Sequence, residues 1–400
     1  MISLVFVYSF FFISLAAFFP YLQILLRNNG FSYSAVGLIL AVGDAAAIFI
    51  PLILSRVADK TRKKRLLILF SGFVSILAFM PLAFSQKILI AIIFIFICRS
   101  FNSSIIPLLD SVSISYLQGN SSKYSIVRTM GTVGFIFFGI IAGVFGFARS
   151  DSNKSIAMIY GCTAGIFFIL CFFLPRTFDS NRNDERIIEH DQIDSSENSS
   201  WLVFDKRSSK RSFLYFMVAV FFIKFSNSAI DRLLSSYIVE ILGLESRFIL
   251  FIALGAASEI VVFLIAGNLR QEKGVQPWVF LIIGATALSI RLLICSLTSS
   301  IIIFALTQCL QGLTYGIFHI GAISYISGLV PPKNTSQALG IYNGFGISLP
   351  GMAGSMLGGQ IIQNYGYNSL FATYGYVAVL GVAVLLIFRR NLLIFQHKSV

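Results

Sequence analysis

The sequence predicts an all-α integral membrane protein of about twelve transmembrane helices in two pseudo-symmetric six-helix bundles. Three observations predict it. Of 400 residues, 56% are hydrophobic and only 12% are charged, whereas soluble domains use roughly 45–50% apolar and about 25% charged residues. The apolar residues, 41 Phe among them, are spread along the whole chain rather than gathered in one core or one anchor. A span plus a short loop takes roughly 30 residues, so this length allows about twelve spans.

Apolar runs bounded by polar residues, Gly or Pro lie at 4–26, 35–55, 66–84, 88–118, 126–147, 156–174, 211–239, 247–268, 277–296, 300–327, 335–362 and 369–388. Hydrocarbon holds no water to satisfy a free backbone group, so each run must be a helix. The first has no basic residue before it and exceeds the roughly 7–15 residues of a signal-peptide core, so it reads as a retained helix. The stretch 175–210, rich in Ser, Asn, Asp and Glu, is the one long polar segment. It reads as a cytoplasmic linker joining an N-terminal bundle, 1–174, to a C-terminal bundle, 211–400. A shift of 212 residues lays Gly134, Gly139 and Gly146 on Gly346, Gly351 and Gly358. Small residues let helix backbones approach and slide, as two rocking halves require.

The formal net charge is +13, yet the placement of the basic residues points to membrane orientation rather than to nucleic acid. With the N-terminus inside, about 20 of the 30 Lys and Arg fall on cytoplasmic loops against about five on the other side, which places both termini in the cytoplasm by the positive-inside rule. All five Cys lie in apolar stretches without metal-ligand spacing, so no metal and no disulfide framework is expected. No P-loop, Gly-rich phosphate cradle or HExxH stands in the sequence, which leaves a membrane-embedded transferase little to work with and implies no cofactor.

The chemistry is expected from charges inside the spans. An ionised side chain at the bilayer centre costs at least about 2.5–3.5 kcal/mol, so a span keeps one only when it faces a cavity or a partner. Nine such residues occur: the acids Asp44, Asp110, Asp231 and Glu259, and the bases Arg99, Arg128, Lys224, Arg232 and Arg291. They admit two readings, interhelical ion pairs that fix packing or polar stripes along an aqueous path. Arg99, Asn102 or Ser103, and Asp110 recur at helical spacing on one face; Lys224, Asn227 or Ser228, and Asp231 do the same. Asp110 with Arg128 and Glu259 with Arg291 are the expected pairs across neighbouring helices. Glu259 is the first candidate proton carrier, with Asp231, His319 and Asp44 as further candidates. His319 shares a helix face with Gln308, Gln311 and Tyr315, where a packing role is the alternative, and Asp44 has no evident local partner. Tyr21, Gln23 and the many Phe read as lipid or core contacts.

Several stretches resemble one family. Ser55-Arg56-Val57-Ala58-Asp59-Lys60-Thr61-Arg62-Lys63-Lys64-Arg65 is similar to the loop between helices two and three of the major facilitator superfamily, with Ser55 and Arg62 standing where glycines are usual. Tyr124 to Phe135, with Arg128, Gly131 and Gly134, resembles helix five of the lactose permease and phenylpropionate permease branch. So do Glu259 in helix eight, Arg291 in helix nine, and Gln311 to His319 running through Pro331 and Pro332 to Gln337-Ala338-Leu339.

The resemblance implies a secondary active transporter, not an enzyme, with Asp110, Arg128, Glu259, Arg291 and Gln311 binding substrate and Arg56, Asp59 and Lys60 forming a gating loop. The branch's helix-ten His and Glu correspond here to Gln311 and Thr314, so coupling through that pair is not implied. The expected partners are a small polar or amphipathic solute (a sugar, nucleoside or aromatic acid), protons and lipid. The expected setting is a monomer in a bacterial cytoplasmic membrane. An exporter built on the same machinery is the alternative.

Overall fold

The computed structural model describes residues 1–61, 63–117, 120–147, 149–174, 207–245, 247–273, 275–331 and 334–388. Each expected span is a helix within it. In the first half these are α1 (Ile2–Asn28), α2 (Tyr33–Thr61), α3 (Lys64–Phe84), α4 (Ile88–Tyr116), α5 (Ser121–Phe145) and α6 (Asn153–Cys171). In the second half α7 starts at Arg207–Asp231 and continues through Leu234–Ser236 into a π-helical turn, Tyr237–Ile241. It is followed by α8 (Phe248–Lys273) and α9 (Pro277–Leu297). Helix α10 (Ile301–Ser327) contains a π-helical turn at Gly312–Ile317. Helix α11 (335–365) contains another at Tyr342–Ser348, and α12 covers 367–387.

Local chemistry sets the ends. Asn120 caps α5 by accepting from the Lys123 amide at 3.0 Å, and Ser152 caps α6 through the Ser155 amide at 3.3 Å, which satisfies donors that a helix start leaves free. Pro277 opens α9, where its missing N–H costs nothing. Gly366, at φ 79°, turns the chain between α11 and α12, in a conformation that a Cβ would oppose. The expected linker lies outside the described residues from 175 to 206, and 207–210 already belong to α7.

Within the first half α1 packs on α5 and α6, α2 on α4, and α3 on α4 and α6; within the second, α8 packs on α10, and α7 and α9 on the 349–387 segment. Two seams join the halves. Helix α5 meets α8 where Gly139 faces Ala253, and α2 meets α11 where Gly37 lies against Ser355 and Gly359. Two of the three glycine pairs correspond here: Gly134 abuts Ser9 of α1 and Gly346 abuts Val220 of α7, while Gly139 and Gly351 both face the opposite half; Gly146, however, ends α5 at φ 63°, whereas Gly358 lies inside α11. The outer faces carry exposed apolar side chains such as Phe137, Val144, Met158, Ile302 and Tyr376, as lipid contact requires.

The hydrogen bonds that join the halves cluster at one end, opposite the loop that follows α2. There Arg27 meets Glu240 at 3.1 Å, the Tyr33 hydroxyl also bonds Glu240, the Tyr33 amide bonds Gln363 at 3.0 Å, Gln23 takes the Ser236 amide at 3.1 Å, and Ser150 bonds the Glu245 carbonyl at 2.6 Å. Tyr21 packs edge-on against Phe248 in the same layer. This layer shuts one end. Nearer the middle of the molecule, Asp44 and Arg232 also join the halves, at 2.9 Å.

Candidate functional site

Beneath the shut end lies a cavity of about 400 Å³ between the halves. Phe12, Phe19 and Pro20 of α1, Arg99 of α4, and Thr132 and Phe135 of α5 contribute one wall. The other wall holds Asp231, Arg232 and Ser235 of α7, Gly255 and Glu259 of α8, Arg291 of α9, and Gln308 and Gln311 of α10. Five of these side chains are ionisable and come from both halves. The apolar side of the cavity is aromatic: Phe12, Phe19 and Phe135 pack on the core, as expected of the Phe, and also line the cavity.

Two charged clusters build the polar surface. In the first, Asp44 on α2 is 4% exposed and is held by two guanidinium groups: Arg99 Nη2 reaches Oδ1 at 3.2 Å and Arg232 Nε reaches Oδ2 at 2.9 Å. Arg99 belongs to the same half as Asp44 and Arg232 to the other. The Arg99 guanidinium also lies 4.5 Å over the Phe19 ring, a contact that stabilises a desolvated cation by about 0.5–2 kcal/mol. Asp44, expected to lack a local partner, is therefore the most heavily paired acid of the site.

In the second cluster Arg291, wholly buried, donates to Gln308 Oε1 at 2.7 Å, to Gln311 Oε1, and to Thr314 Oγ1 at 3.5 Å. Gln311 then donates from Nε2 to Glu259 Oε1 at 3.1 Å. The expected direct pair of Glu259 with Arg291 does not form, because Gln311 stands between them. An amide offers an acceptor on one atom and donors on the other, so Gln311 connects a cation to an anion through its oxygen and its nitrogen. Asp231 projects into the cavity, accepts from Asn227 at 2.5 Å, and is otherwise exposed there.

Asp110 and Arg128 do not line this cavity. Asp110 accepts from the Tyr8 hydroxyl at 2.6 Å, and the Arg128 guanidinium lies 4.6 Å over the Phe12 ring. No ion pair joins the two among the described residues. The polar stripe expected along α4 divides accordingly: Arg99 faces the cavity, Asn102 is buried and acts on Tyr160, and Asp110 faces α1. His319 is stacked on Tyr315, centroids 5.4 Å apart, also outside the lining. Arg56 and Lys60 are exposed near the end of α2, and the Asp59 side chain lies outside the described residues.

The site therefore gathers Glu259, Arg291, Gln311 and Asp231 from the expected set, with Asp44 just behind the wall. It adds Arg99, Arg232, Gln308 and the three Phe rings. The signal for Arg99 and Arg232 was their depth within a span, and that for Gln308 was its spacing of three from Gln311.

Comparison with known proteins agrees with this architecture. The description "MFS_1 like family" fits residues 1–373 of the chain. The uncharacterized transporter YwbF of Bacillus subtilis (strain 168) is 27% identical over 386 residues, which cover 94% of this chain and 89% of that protein. The maltose permease of Geobacillus stearothermophilus is 21% identical over 392 residues, covering 96% and 93%. The crystal structure of the nucleoside transporter NupG superposes with a TM-score of 0.75 at 15% identity, over 99% of both chains. A match over nearly the whole length, a transporter fold, and a charged cavity held between two helical halves lead to one conclusion: the chain belongs to the MFS_1-like family and is a multi-pass membrane transporter of the major facilitator superfamily, not an enzyme.

Proposed function

We propose that the protein imports a small organic solute (a sugar, a nucleoside or an aromatic acid) together with a proton, by alternating access of a bundle at 1–174 against a bundle at 211–400. The observation that carries this reading is the central cavity of about 400 Å³ with Glu259 on its wall, bonded to one neutral amide rather than locked in an ion pair. That volume suits a molecule of one or two rings. Guanidinium and carboxylate groups beside aromatic walls suit hydroxyls or a carboxylate on an amphipathic body. The relatives bearing the names maltose permease and nucleoside transporter support this range of solutes.

Glu259 suits proton carriage because a dry, closed chamber favours the neutral form of a carboxyl and an open, wet one favours its ion. Ionised, it balances Arg291 through Gln311; protonated, it releases that charge for a solute. With the basic loops and both termini in the cytoplasm of a bacterial cell, the cavity here faces inward, and the layer formed by Arg27, Tyr33, Glu240 and Gln363 is the outer gate. Asp231 and Asp44 are secondary participants in coupling, and the protein works as a monomer.

Reconstituted vesicles test this with a panel of labelled solutes, with and without an imposed pH gradient, inside acidic and inside alkaline. The gradient is expected to drive accumulation of one solute class. Glu259→Gln is expected to cut uphill accumulation by at least about tenfold while exchange of solute for solute persists. Uphill uptake unchanged in that variant removes Glu259 from coupling, and flux driven only outward reverses the direction.

A further inference from the structure

A buried ammonium set over ring faces and two buried polar atoms without a hydrogen-bonding partner lie around the Tyr315 ring. Lys224 of α7 is 6% exposed. Its ammonium lies 5.3 Å from the centre of the Tyr315 ring and 5.0 Å from that of Phe318, and it forms no ion pair among the described residues. His319, stacked on Tyr315, has a buried Nδ1 with no partner, and so does the Tyr342 hydroxyl of α11. Tyr342 is 1% exposed and within electrostatic reach of Tyr315.

The acids nearby, Asp231 and Glu259, act on the ammonium through space but make no ion pair with it among the described residues. Asp231, about 10 Å along α7 from Lys224 at 1.5 Å per residue, accepts from Asn227, and Glu259 accepts from Gln311. From the opposite half Arg128 adds positive charge within reach of both His319 and Tyr315. Tyr315 and Tyr342 each belong to a π-helical turn, a distortion found most often at functional sites.

Ring faces compensate a buried ammonium only in part, and a water could satisfy the phenol and the imidazole but brings no counter-charge. We propose that Lys224, His319 and Tyr342 form a carboxylate-binding subsite, set on the basic-loop side of the central cavity, which receives the anionic group of the transported solute. A carboxylate has acceptor positions for all three donors, ammonium, imidazole N–H and phenol O–H. This narrows the proposed solute to an organic acid and rests on the transport reading only for the statement that the bound acid is cargo.

Equilibrium binding to the purified full-length chain tests the subsite without any gradient, so it stands or falls separately from proton-driven uptake. Propionate and benzoate are titrated against propionamide and benzamide, which match them in shape but lack the charge. The wild type is expected to prefer the acids by about tenfold or more. Lys224→Gln is expected to erase that preference, and Lys224→Arg to keep it. Tyr342→Phe, which removes one hydroxyl, is expected to weaken acid binding by about threefold and gives a second reading should Lys224→Gln fail to fold. Equal affinity for acid and amide, no binding of either acid, or a preference that survives Lys224→Gln overturns the proposal.

Discussion

Asp44 shows what one side chain can and cannot disclose. Its depth in α2 announces that it needs a partner, since a lone ion in a span is costly. Its two partners lie 55 and 188 residues away in the chain, and nothing in a single sequence states that distance in space. The same holds for Gln311. The need to balance Glu259 and Arg291 was legible, but an amide relay between them depends on a few tenths of a turn in α10 that no spacing rule resolves. Removing the carboxylate of Asp44 leaves Arg99 and Arg232 facing each other at the cavity wall; breaking a fully buried pair in this way costs about 3–5 kcal/mol, and the partial exposure of Arg232 lowers that figure here. Asp44→Asn should therefore lower the thermal unfolding midpoint of the purified protein markedly. The double variant with Arg232→Gln should recover part of the loss, because it removes the excess charge as well. Additive losses in that cycle would show that the cross-half bond contributes nothing.

At the scale of the helix, sequence reading came close. Runs of apolar residues and their polar breaks placed all the spans, because a bilayer allows a backbone few alternatives. What it did not place were the π-helical turns in α7, α10 and α11. They follow no apolar period that a sequence could display. The seam of α2 with α11 gives a second prediction. A Cβ on Gly359 would lie 2.3 Å from the Tyr33 carbonyl oxygen and 3.0 Å from Gly37 Cα, a clash with backbone that no side-chain rotation relieves. Overpacking of this kind costs about 1–3 kcal/mol, or roughly one to two powers of ten in the ratio of open to shut forms. Gly359→Ala in a cysteine-free background with a single cysteine at Ser235, on the cavity wall, should react faster with an impermeant maleimide offered from the end that is shut in the wild type. An unchanged rate would show that the seam does not hold that end closed.

For the molecule as a whole, the two-half plan was legible from the glycine repeat and from the polar stretch between α6 and α7. The sidedness of the closure was not. Which end is shut depends on contacts such as those of Glu240 with Arg27 and Tyr33, made between helix ends whose pairing across the halves no sequence spacing states. The aromatic cavity wall was missed for a related reason. With 41 Phe in the chain, composition cannot single out the three that turn inward.

The ion pair that spans the halves has an electrical consequence. In the alternating access proposed above, Arg232 belongs to the half that moves away from Asp44, and each cycle then displaces a formal charge against its counter-charge within the membrane field. A full crossing is worth about 2.3 kcal/mol per 100 mV, and a partial one a proportionate share. Turnover should thus vary with voltage even when cargo and proton together are electrically neutral. In vesicles clamped with potassium and valinomycin, that dependence should flatten in the Arg232→Gln, Asp44→Asn double variant.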